Sequence, residues 1–256
     1  MVQPDPLARF RLDGRVAVVT GASSGFGARF AAVLAAAGAT PVLVARRLDR
    51  LEAVAEDLDG AVLVAADVTR PEDVERVVAT ALDQLGRIDV LVNNAGVNDS
   101  VPAEDETLEQ FRYTLDVNLT AAFHLCQVVG RHMLERGDGN IVNVASMLGV
   151  VGAGQIPQAG YAASKAGLVN LSRELAAQWG RRGVRVNALC PGWFPTEMTA
   201  EMFADERSVD WIRRKTVLGR AGRDDELDGA LLWLASEASS YVTGSTVIVD
   251  GGYTAV

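Results

Sequence analysis

The stretch RVAVVTGASSGFGARFAAVLAAAG, residues 15–38, decides the fold of this chain. It opens with an apolar, β-branched run that predicts a buried strand and closes with an alanine-rich segment that predicts a helix. Gly21, Gly25 and Gly27 stand between the two, where they let the backbone turn sharply. A glycine cluster alone could be only a tight turn. A strand before it and a helix after it favour a nucleotide site, because the free N–H groups at a helix N-terminus suit a pyrophosphate.

The same alternation continues to the end of the chain. Runs so continuously apolar are typically buried on both faces of a sheet, and the helices between them make right-handed crossovers. We therefore predict one α/β domain, residues 1–256, with a doubly wound, seven-stranded parallel sheet of the Rossmann class and helices on both faces. The predicted strands are residues 15–20, 40–45, 61–67, 88–94, 139–146, 184–190 and 245–251, and the predicted helices are 25–38, 48–59, 71–85, 104–135, 159–181 and 224–237. Gly86 and Gly183 are placed to end helices, and Asp225 or a neighbour to open the last one.

The composition and charge of the chain indicate which binding partners and which cellular location to expect. The net charge of −9 disfavours nucleic acid and anionic membranes, which both reward a basic face. No run approaches the roughly 18 apolar residues of a membrane helix, and the first residues lack the apolar middle of a secretory signal, so we expect a soluble, cytoplasmic protein. Cys126 and Cys190 lie in unrelated contexts and predict two buried thiols. His124 and His132 have no acid or cysteine at ligand spacing, so we expect no metal site.

The end of the second predicted strand bears on the choice of cofactor. A site selective for NAD usually places an acid here for the adenine ribose hydroxyls, whereas this chain has Ala45, Arg46 and Arg47. A guanidinium binds a 2′-phosphate through a fork of charged donors, so Arg46, with Arg47, favours NADP(H) over NAD(H). The alternative is that both arginines are only the solvated start of a helix.

Two further segments end strands at the same edge of the predicted sheet. Asp67, followed by Val68 in ADVT, is placed to contact the adenine, although an aspartate that caps the next turn would look the same. Asn94, Ala95 and Gly96 in NNAG allow a cofactor to approach the backbone closely, and the alternative is simple turn chemistry.

Tyr161 and Lys165 stand four residues apart in GYAASKAGL and share one face of a predicted helix. An adjacent ammonium that stabilises a phenolate makes a tyrosine a usable acid and base. By itself the pair could be a half-buried aromatic beside a solvated charge. Ser146 could likewise be only a cap at a strand end, and Asn118 a structural amide that bends its helix.

Together, seven motifs in order and spacing resemble the short-chain dehydrogenase/reductase family from about residue 10 to the end. They are TGASSGFG, DVT, NNAG, Asn118 in LDVNLT, Ser146 in NVAS, the Tyr161 and Lys165 pair, and the PG of Pro191 and Gly192. The resemblance implies that Tyr161 is the catalytic acid and base, that Lys165 binds the nicotinamide ribose and lowers the tyrosine pKa, and that Ser146 polarises the substrate oxygen. It also implies that Asn118 holds a water in a proton relay to Lys165 and that Thr196 contacts the nicotinamide carboxamide.

Two positions depart from the family's common pattern. Phe26 replaces the usual Ile or Leu between the last two motif glycines, a volume change that packing can absorb. Ser24 stands where many NADP-using members carry a basic residue, so only Arg46 and Arg47 support NADP. The full set of expected cofactor contacts is Gly21, Ser23, Ser24, Gly25, Phe26, Gly27, Arg46, Arg47, Asp67, Val68, Asn94, Ala95, Gly96, Tyr161, Lys165, Pro191, Gly192 and Thr196.

Residues 192–217, GWFPTEMTAEMFADERSVDWIRRKTV, interrupt the alternation and are either a structural excursion or a small helical lid over the substrate. Their aromatic and methionine side chains indicate an apolar pocket, which the stretch GAGQIP at 152–157 would also border. These side chains are Trp193, Phe194, Met198, Met202 and Phe203.

The sequence therefore predicts an oxidoreductase that transfers a hydride between NADP(H) and a small carbonyl or secondary alcohol substrate. A ketone reductase acting on a 3-oxoacyl chain or a cyclic ketone is the first candidate, from the general resemblance. The alternatives are an NAD-dependent secondary-alcohol dehydrogenase and a non-catalytic NADP-binding sensor. The apolar C-terminal region and the resemblance also predict a homotetramer.

Overall fold

Seven parallel strands form the centre of the computed structural model, which describes residues 5–256. They are β1 (Val16–Thr20), β2 (Thr40–Ala45), β3 (Val62–Ala65), β4 (Val90–Asn93), β5 (Gly139–Val144), β6 (Val184–Pro191) and β7 (Thr246–Val249). Their order across the sheet is β3-β2-β1-β4-β5-β6-β7. The prediction of a doubly wound Rossmann sheet is confirmed. Residues 1–4, which belong to the predicted domain and to the segment searched for a secretory signal, lie outside the described residues.

The strand order reverses between β1 and β4. On one side β1 pairs with β2 through Val18 and Val42, and on the other it pairs with β4 through Val18 and Leu91. The connections that leave the carboxyl ends of β1 and β4 run to opposite sides of the sheet, and such a point opens a crevice that ligands occupy.

Helices cover both faces of the sheet. Ala17 and Val19 of β1 pack with Phe30 in one buried cluster, whereas Val16 and Val18 point to the opposite face and belong to a second cluster. The helices of the described residues are α1 (Gly25–Ala36), α2 (Leu48–Ala55), α3 (Pro71–Leu85), α4 (Leu108–Leu115), α5 (Ala121–Arg136), α6 (Ala159–Trp179), α7 (Ala200–Ala204), α8 (Glu206–Lys215) and α9 (Asp228–Ala235).

The predicted helix 104–135 is two helices, and it begins later than predicted. Thr107 and Gln110 form a capping box that fixes the start at Leu108. A π-helical turn, Asp116–Thr120, then separates α4 from α5. Such turns widen a helix locally and are common at functional sites, and this one contains Asn118.

The last predicted helix, 224–237, is also shorter than expected. Asp225 accepts the N–H of Asp228 in a turn, and Glu226 accepts the N–H of Arg223 with its carboxylate, so α9 begins only at Asp228. Three other helices end earlier than predicted. α1 ends at Ala36 and not at residue 38, and α2 ends at Ala55 and not at residue 59. α6 ends at Trp179 and not at residue 181, and a 3₁₀ turn follows it.

Other predictions hold. Gly86 and Gly183 each end a helical segment with a positive φ, of 73° and 85°. Cys126 and Cys190 are buried free thiols.

No helix in the described part of the chain is long and apolar enough to span a membrane.

Asp89 anchors the opposite end of the sheet from the crevice. Its carboxylate is only 2% exposed and accepts the N–H of Val16 at 2.8 Å. Three arginines surround it, with N–O distances of 3.2 Å to Arg15, 2.6 Å to Arg87 and 2.8 Å to Arg136. Burial acts to raise the pKa of Asp89, but these hydrogen bonds outweigh it and hold the pKa at about 2.

Replacing Asp89 by Asn should therefore lower the free energy of unfolding by about 2 kcal/mol at pH 7, measured by urea denaturation. A carboxyl with a depressed folded-state pKa stabilises the fold above its unfolded pKa and loses this contribution as the pH falls, so the difference should shrink between about pH 4 and pH 2. Asp138→Asn is the matched control, because Asp138 also pairs with Arg15 but is half exposed and should cost less than about 1 kcal/mol. Equal losses from the two variants would contradict this account.

Candidate active site

A cavity of about 780 Å³ opens at the carboxyl ends of the strands, over the crevice between β1 and β4. The predicted site residues that line it are Gly21, Ser23, Ser24, Gly25, Phe26, Arg46, Arg47, Asp67, Val68, Asn94, Ala95, Gly96, Ser146, Tyr161, Lys165, Pro191, Gly192 and Thr196. Gly27 and Asn118 do not line the cavity. The structure thus brings the two predicted sets, catalytic and cofactor-binding, to one place.

The glycine-rich turn has the backbone that the sequence predicts. Gly21 and Gly25 have positive φ angles of 66° and 53°, which side-chain-bearing residues rarely adopt. Gly27 is needed for packing, since a Cβ there would collide with the carbonyl oxygen of Gly21. Ser24 precedes α1 without capping it through its side chain. The free N–H groups of the first turn therefore remain available to an anionic ligand in the cavity.

Phe26, the departure from the family pattern, has a packing partner across the site. Its ring stacks on Phe30 at 5.7 Å and meets Phe194 edge-on at 5.5 Å. Phe194 comes from the segment predicted as a lid, so this aromatic contact joins the glycine-rich turn to that segment.

Thr20, which the sequence analysis missed, holds the turn to the neighbouring loop. Its hydroxyl accepts the N–H groups of Asn94 and Ala95, both at 3.0 Å. In return the Asn94 side chain donates to the carbonyl oxygen of Thr20 at 2.9 Å. The side-chain amide of Asn94 thus holds two loops together.

Asn93 also faces inward, donating to Asn143 at 2.8 Å in a buried network between β4 and β5.

The far end of the cavity carries the two arginines. Arg46 makes no hydrogen bond or ion pair with any residue of the described range 5–256, so its guanidinium is available to a ligand. Arg47 donates to the Ser23 hydroxyl at 3.2 Å and pairs with Glu197 at 3.4 Å.

Asp67 accepts the N–H and hydroxyl of Thr69, at 3.0 and 2.7 Å. Asp67 therefore does cap the next turn, and its contact with an adenine stays a prediction.

Lys165 is the most deeply buried charged group of the site. The residue is 3% exposed, and its Nζ donates to the carbonyl oxygen of Val144 at 2.9 Å. The same Nζ lies 5.6 Å from the centre of the Tyr161 ring. Burial lowers the pKa of Lys165 to about 8.

The pKa of Tyr161 moves opposite to the prediction. Burial raises it to about 12, although a hydrogen bond with Ser146 acts to lower it. The Lys165 ammonium donates to the carbonyl oxygen of Val144 and lies 5.6 Å from the centre of the ring. The phenol is therefore fully protonated at neutral pH, which is the form that can give up a proton.

Ser146 is both a cap and a potential donor to substrate. It precedes the 3₁₀ turn Met147–Gly149, and its Oγ accepts the N–H of Leu148 at 3.1 Å. Because Oγ only accepts in this bond, its hydrogen can be donated, either to Tyr161 or to a substrate oxygen. The capping role proposed as an alternative is thus real, and it is compatible with the catalytic one.

Asn118 shapes the wall of the site from behind. Its Oδ1 accepts the N–H of Val97 at 2.8 Å, and its Nδ2 donates to the Val97 carbonyl at 2.9 Å and to the Ser164 hydroxyl at 3.0 Å. A Cβ built on Gly96 would lie 3.2 Å from Asn118 Oδ1 and 3.5 Å from Lys165 Nζ. Asn118 therefore sits close to Lys165, and its role in a proton relay stays a prediction.

Apolar and uncharged polar side chains both line the rest of the cavity. Trp193 and Met202 line it, but Phe203 does not, and Trp193 also packs edge-on against Trp211 at 5.7 Å. The remaining wall combines the apolar side chains of Val97, Tyr113, Val117, Met147, Leu148, Ile156 and Pro157 with the uncharged polar side chains of Asn98, Ser100, Gln155 and Gln158. Gln155, Ile156 and Pro157 belong to the stretch 152–157 that was expected to border the pocket, and Gln158 follows it directly.

Within residues 5–256 no three His, Cys, Asp or Glu side chains cluster as metal ligands would.

A family model described as "Enoyl-(Acyl carrier protein) reductase" matches residues 21–254. Gluconate 5-dehydrogenase of Gluconobacter oxydans is 40% identical over 249 residues, which cover 96% of each chain. The chain belongs to the short-chain dehydrogenase/reductase family. A 3-oxoacyl-[acyl-carrier-protein] reductase of Thermotoga maritima is 37% identical over 246 residues, 94% of this chain and 98% of that one. The solved gluconate 5-dehydrogenase of Burkholderia cenocepacia, in complex with NADP and tartrate, matches with a TM-score of 0.94 and 36% identity, over 98% of this chain and all of that one.

As a short-chain dehydrogenase/reductase, the protein is an oxidoreductase that acts on alcohol or ketone substrates. Replacing Tyr161 by Phe removes the phenolic hydroxyl from the cavity wall without changing the shape of the ring. We expect turnover of a ketone substrate to fall about a thousandfold while NADPH binding, followed by fluorescence titration, stays the same. Tyr241→Phe is the control, because Tyr241 is fully exposed. Near-normal turnover of Tyr161→Phe would remove Tyr161 from the mechanism.

Proposed function

We propose that this protein interconverts a ketone and a secondary alcohol on a polyhydroxylated small molecule, with NADP(H) as its preferred cofactor. Gluconate 5-dehydrogenases are among its relatives, and one of them was solved with NADP and tartrate. NADP(H), when bound, supplies or accepts the hydride. NAD-dependent oxidation of a secondary alcohol is the alternative direction and cofactor.

The residues present fit a dinucleotide phosphate. The backbone of the glycine-rich turn has no side chains at Gly21 and Gly25, and the N–H groups that open α1 are not capped by Ser24. Arg46 stands at the other end of the same cavity with no ion pair in the described part of the chain. The glycine-rich turn would hold the pyrophosphate of such a cofactor, and Arg46 would hold its 2′-phosphate. Lys165 would bind the nicotinamide ribose.

Three side chains, Ser146, Tyr161 and Lys165, would carry out the proton transfer. Ser146 would donate a hydrogen bond to the substrate oxygen, and Tyr161 would transfer its phenolic proton to that oxygen as the carbonyl is reduced. The ammonium of Lys165 would stabilise the phenolate left behind. In the oxidative direction Tyr161 would take the proton from the alcohol, which only its phenolate form can do. The intact set of Asn118, Ser146, Tyr161 and Lys165 argues against a non-catalytic sensor.

Gln158 carries the argument for a hydroxyl-rich substrate. It is 8% exposed, lines the cavity, precedes Tyr161 by three residues, and makes no side-chain hydrogen bond with the described residues. Buried amides are normally hydrogen-bonded, so a ligand that lies here would meet an unused donor and acceptor. The Oδ1 of Asn98, which also lines the cavity, is a buried acceptor with no partner in residues 5–256. An apolar acyl chain would leave both groups unsatisfied at a cost in affinity.

A 3-oxoacyl substrate is the second candidate. Met198 and Met202 of the segment 192–217 line the cavity, and one relative is a 3-oxoacyl reductase. We also propose that this segment is the lid of a single catalytic domain, because its helices α7 and α8 lie beside the cavity. A homotetramer is proposed from the exposed apolar side chains of the C-terminal region, such as Tyr241 and Ile248. A cytoplasmic location remains a prediction from the sequence.

The direct test is a panel of sugar acids, polyols, 3-oxoacyl thioesters and cyclic ketones, assayed in both directions by NADPH absorbance. We expect the highest kcat/KM with a sugar acid or polyol and its ketone. Activity confined to 3-oxoacyl thioesters would favour the second candidate. Tight NADPH binding with no turnover of any compound would favour the sensor.

Replacing Gln158 by Leu should distinguish the substrate classes within one protein. We expect kcat/KM for the best polyol to fall about 10- to 100-fold, because its hydroxyl loses a partner, while that for an apolar cyclic ketone changes less than about threefold. Gln178→Leu makes the same substitution on an exposed turn of α6 and should affect neither. Equal losses on both substrates would show that Gln158 has no part in substrate choice.

A further inference from the structure

Glu197 connects three segments at the mouth of the cavity. It follows Thr196 directly in the segment 192–217 and is itself part of the cavity wall. Its Oε1 lies 3.1 Å from Arg50 Nη1, and its Oε2 lies 3.4 Å from Arg47 Nη2. Arg47 also donates to the hydroxyl of Ser23, in the glycine-rich turn, at 3.2 Å, which links that turn to the pair.

Through these contacts the carboxylate of Glu197 neutralises part of the positive charge of the arginines that follow β2. Arg47 and Arg50 both pair with Glu197, whereas Arg46 has no ion pair with the residues described. The carboxylate stays ionised at any physiological pH, because the hydrogen bonds from Ser24 and then Arg47 hold its pKa at about 2. Two arginines thus share one fixed negative charge, and only one guanidinium remains free.

The charge of Glu197 acts differently on the two nicotinamide dinucleotides. NADP(H) differs from NAD(H) by a 2′-phosphate, a monoester that carries a charge of about −1.5 to −2 near neutral pH. A guanidinium that already serves a carboxylate has fewer donors to offer that phosphate, and the carboxylate repels it. The ribose hydroxyls of NAD(H) carry no charge and do not meet this penalty.

We propose that Glu197 is a specificity-determining residue for the cofactor: by engaging Arg47 and Arg50 it weakens binding of the 2′-phosphate and lets the protein use NAD(H) beside NADP(H). This inference rests on the proposed function of the cavity as a dinucleotide site. The groups involved are about half exposed, with side-chain exposures of 44% for Arg47, 47% for Arg50 and 50% for Glu197. Exposed pairs of this kind contribute little to stability, so removing Glu197 should leave the fold intact.

Fluorescence titration of the full chain with NADPH and with NADH tests the proposal without turnover. In Glu197→Gln we expect the Kd for NADPH to fall about three- to fivefold and the Kd for NADH to change less than twofold. The gain should shrink at about 0.5 M salt, because exposed charges are screened. Glu206→Gln is the matched control, since it removes the same charge from the start of α8, where Glu206 pairs with no described residue. It should change neither Kd.

The outcomes separate this proposal from the proposed function. Equal changes in both Kd values, or a weaker affinity for NADPH in Glu197→Gln, would overturn the role of Glu197 while leaving the dinucleotide site in place. Arg46→Gln provides the independent check of that site, because it should raise the Kd for NADPH at least fivefold. A wild-type protein that binds neither dinucleotide would refute the proposed function itself. Thermal unfolding of each variant confirms that the fold is unchanged.

Discussion

The hydrogen bond from the Lys165 ammonium to the Val144 carbonyl is the contact on which the site depends. A buried ammonium is tolerated only with a partner, and here the partner is the last residue of β5. The bond therefore fixes α6 against the carboxyl edge of the sheet. Tyr161 lies one turn earlier on that helix, and Ser146 lies two residues after Val144. One interaction thus sets the position of the hydroxyl, the phenol and the ammonium relative to one another.

The surrounding polar network makes this arrangement rigid. Asn93 of β4 donates to Asn143 of β5 at 2.8 Å, and Asn143 donates to Ser172 of α6 at 2.9 Å. All three are buried, and their mutual hydrogen bonds offset part of the cost of taking them out of water, although the Oδ1 of Asn93 has no partner among residues 5–256. Burial also keeps the phenol of Tyr161 protonated and lowers the pKa of Lys165, so the acid needed for ketone reduction is present at neutral pH.

The strands and the cofactor end were predictable from local sequence, whereas two helix starts and the contacts between distant residues were not. Continuous apolar runs gave all seven strands, and a strand followed by glycines gave the cofactor end. The start of α4 was missed although its capping box is local, and the turn that delays α9 depends on Glu226. Glu197 carries no local signal, because its partner Arg47 is 150 residues away. The direction in which the pKa of Tyr161 shifts could not be read from its spacing to Lys165, since burial of the phenol is the main cause of the shift.

The central claim is that the cavity brings a reducible carbonyl to Tyr161 and Ser146 beside a hydride donor. The most direct measurement uses NADPH deuterated at the transferable position, a ketone accepted by the enzyme, and mass spectrometry of the product. The account predicts an alcohol with one deuterium on the carbon that was the carbonyl, formed in proportion to the NADPH consumed. An alcohol without deuterium, or deuterium at any other carbon, would contradict direct hydride transfer in this site.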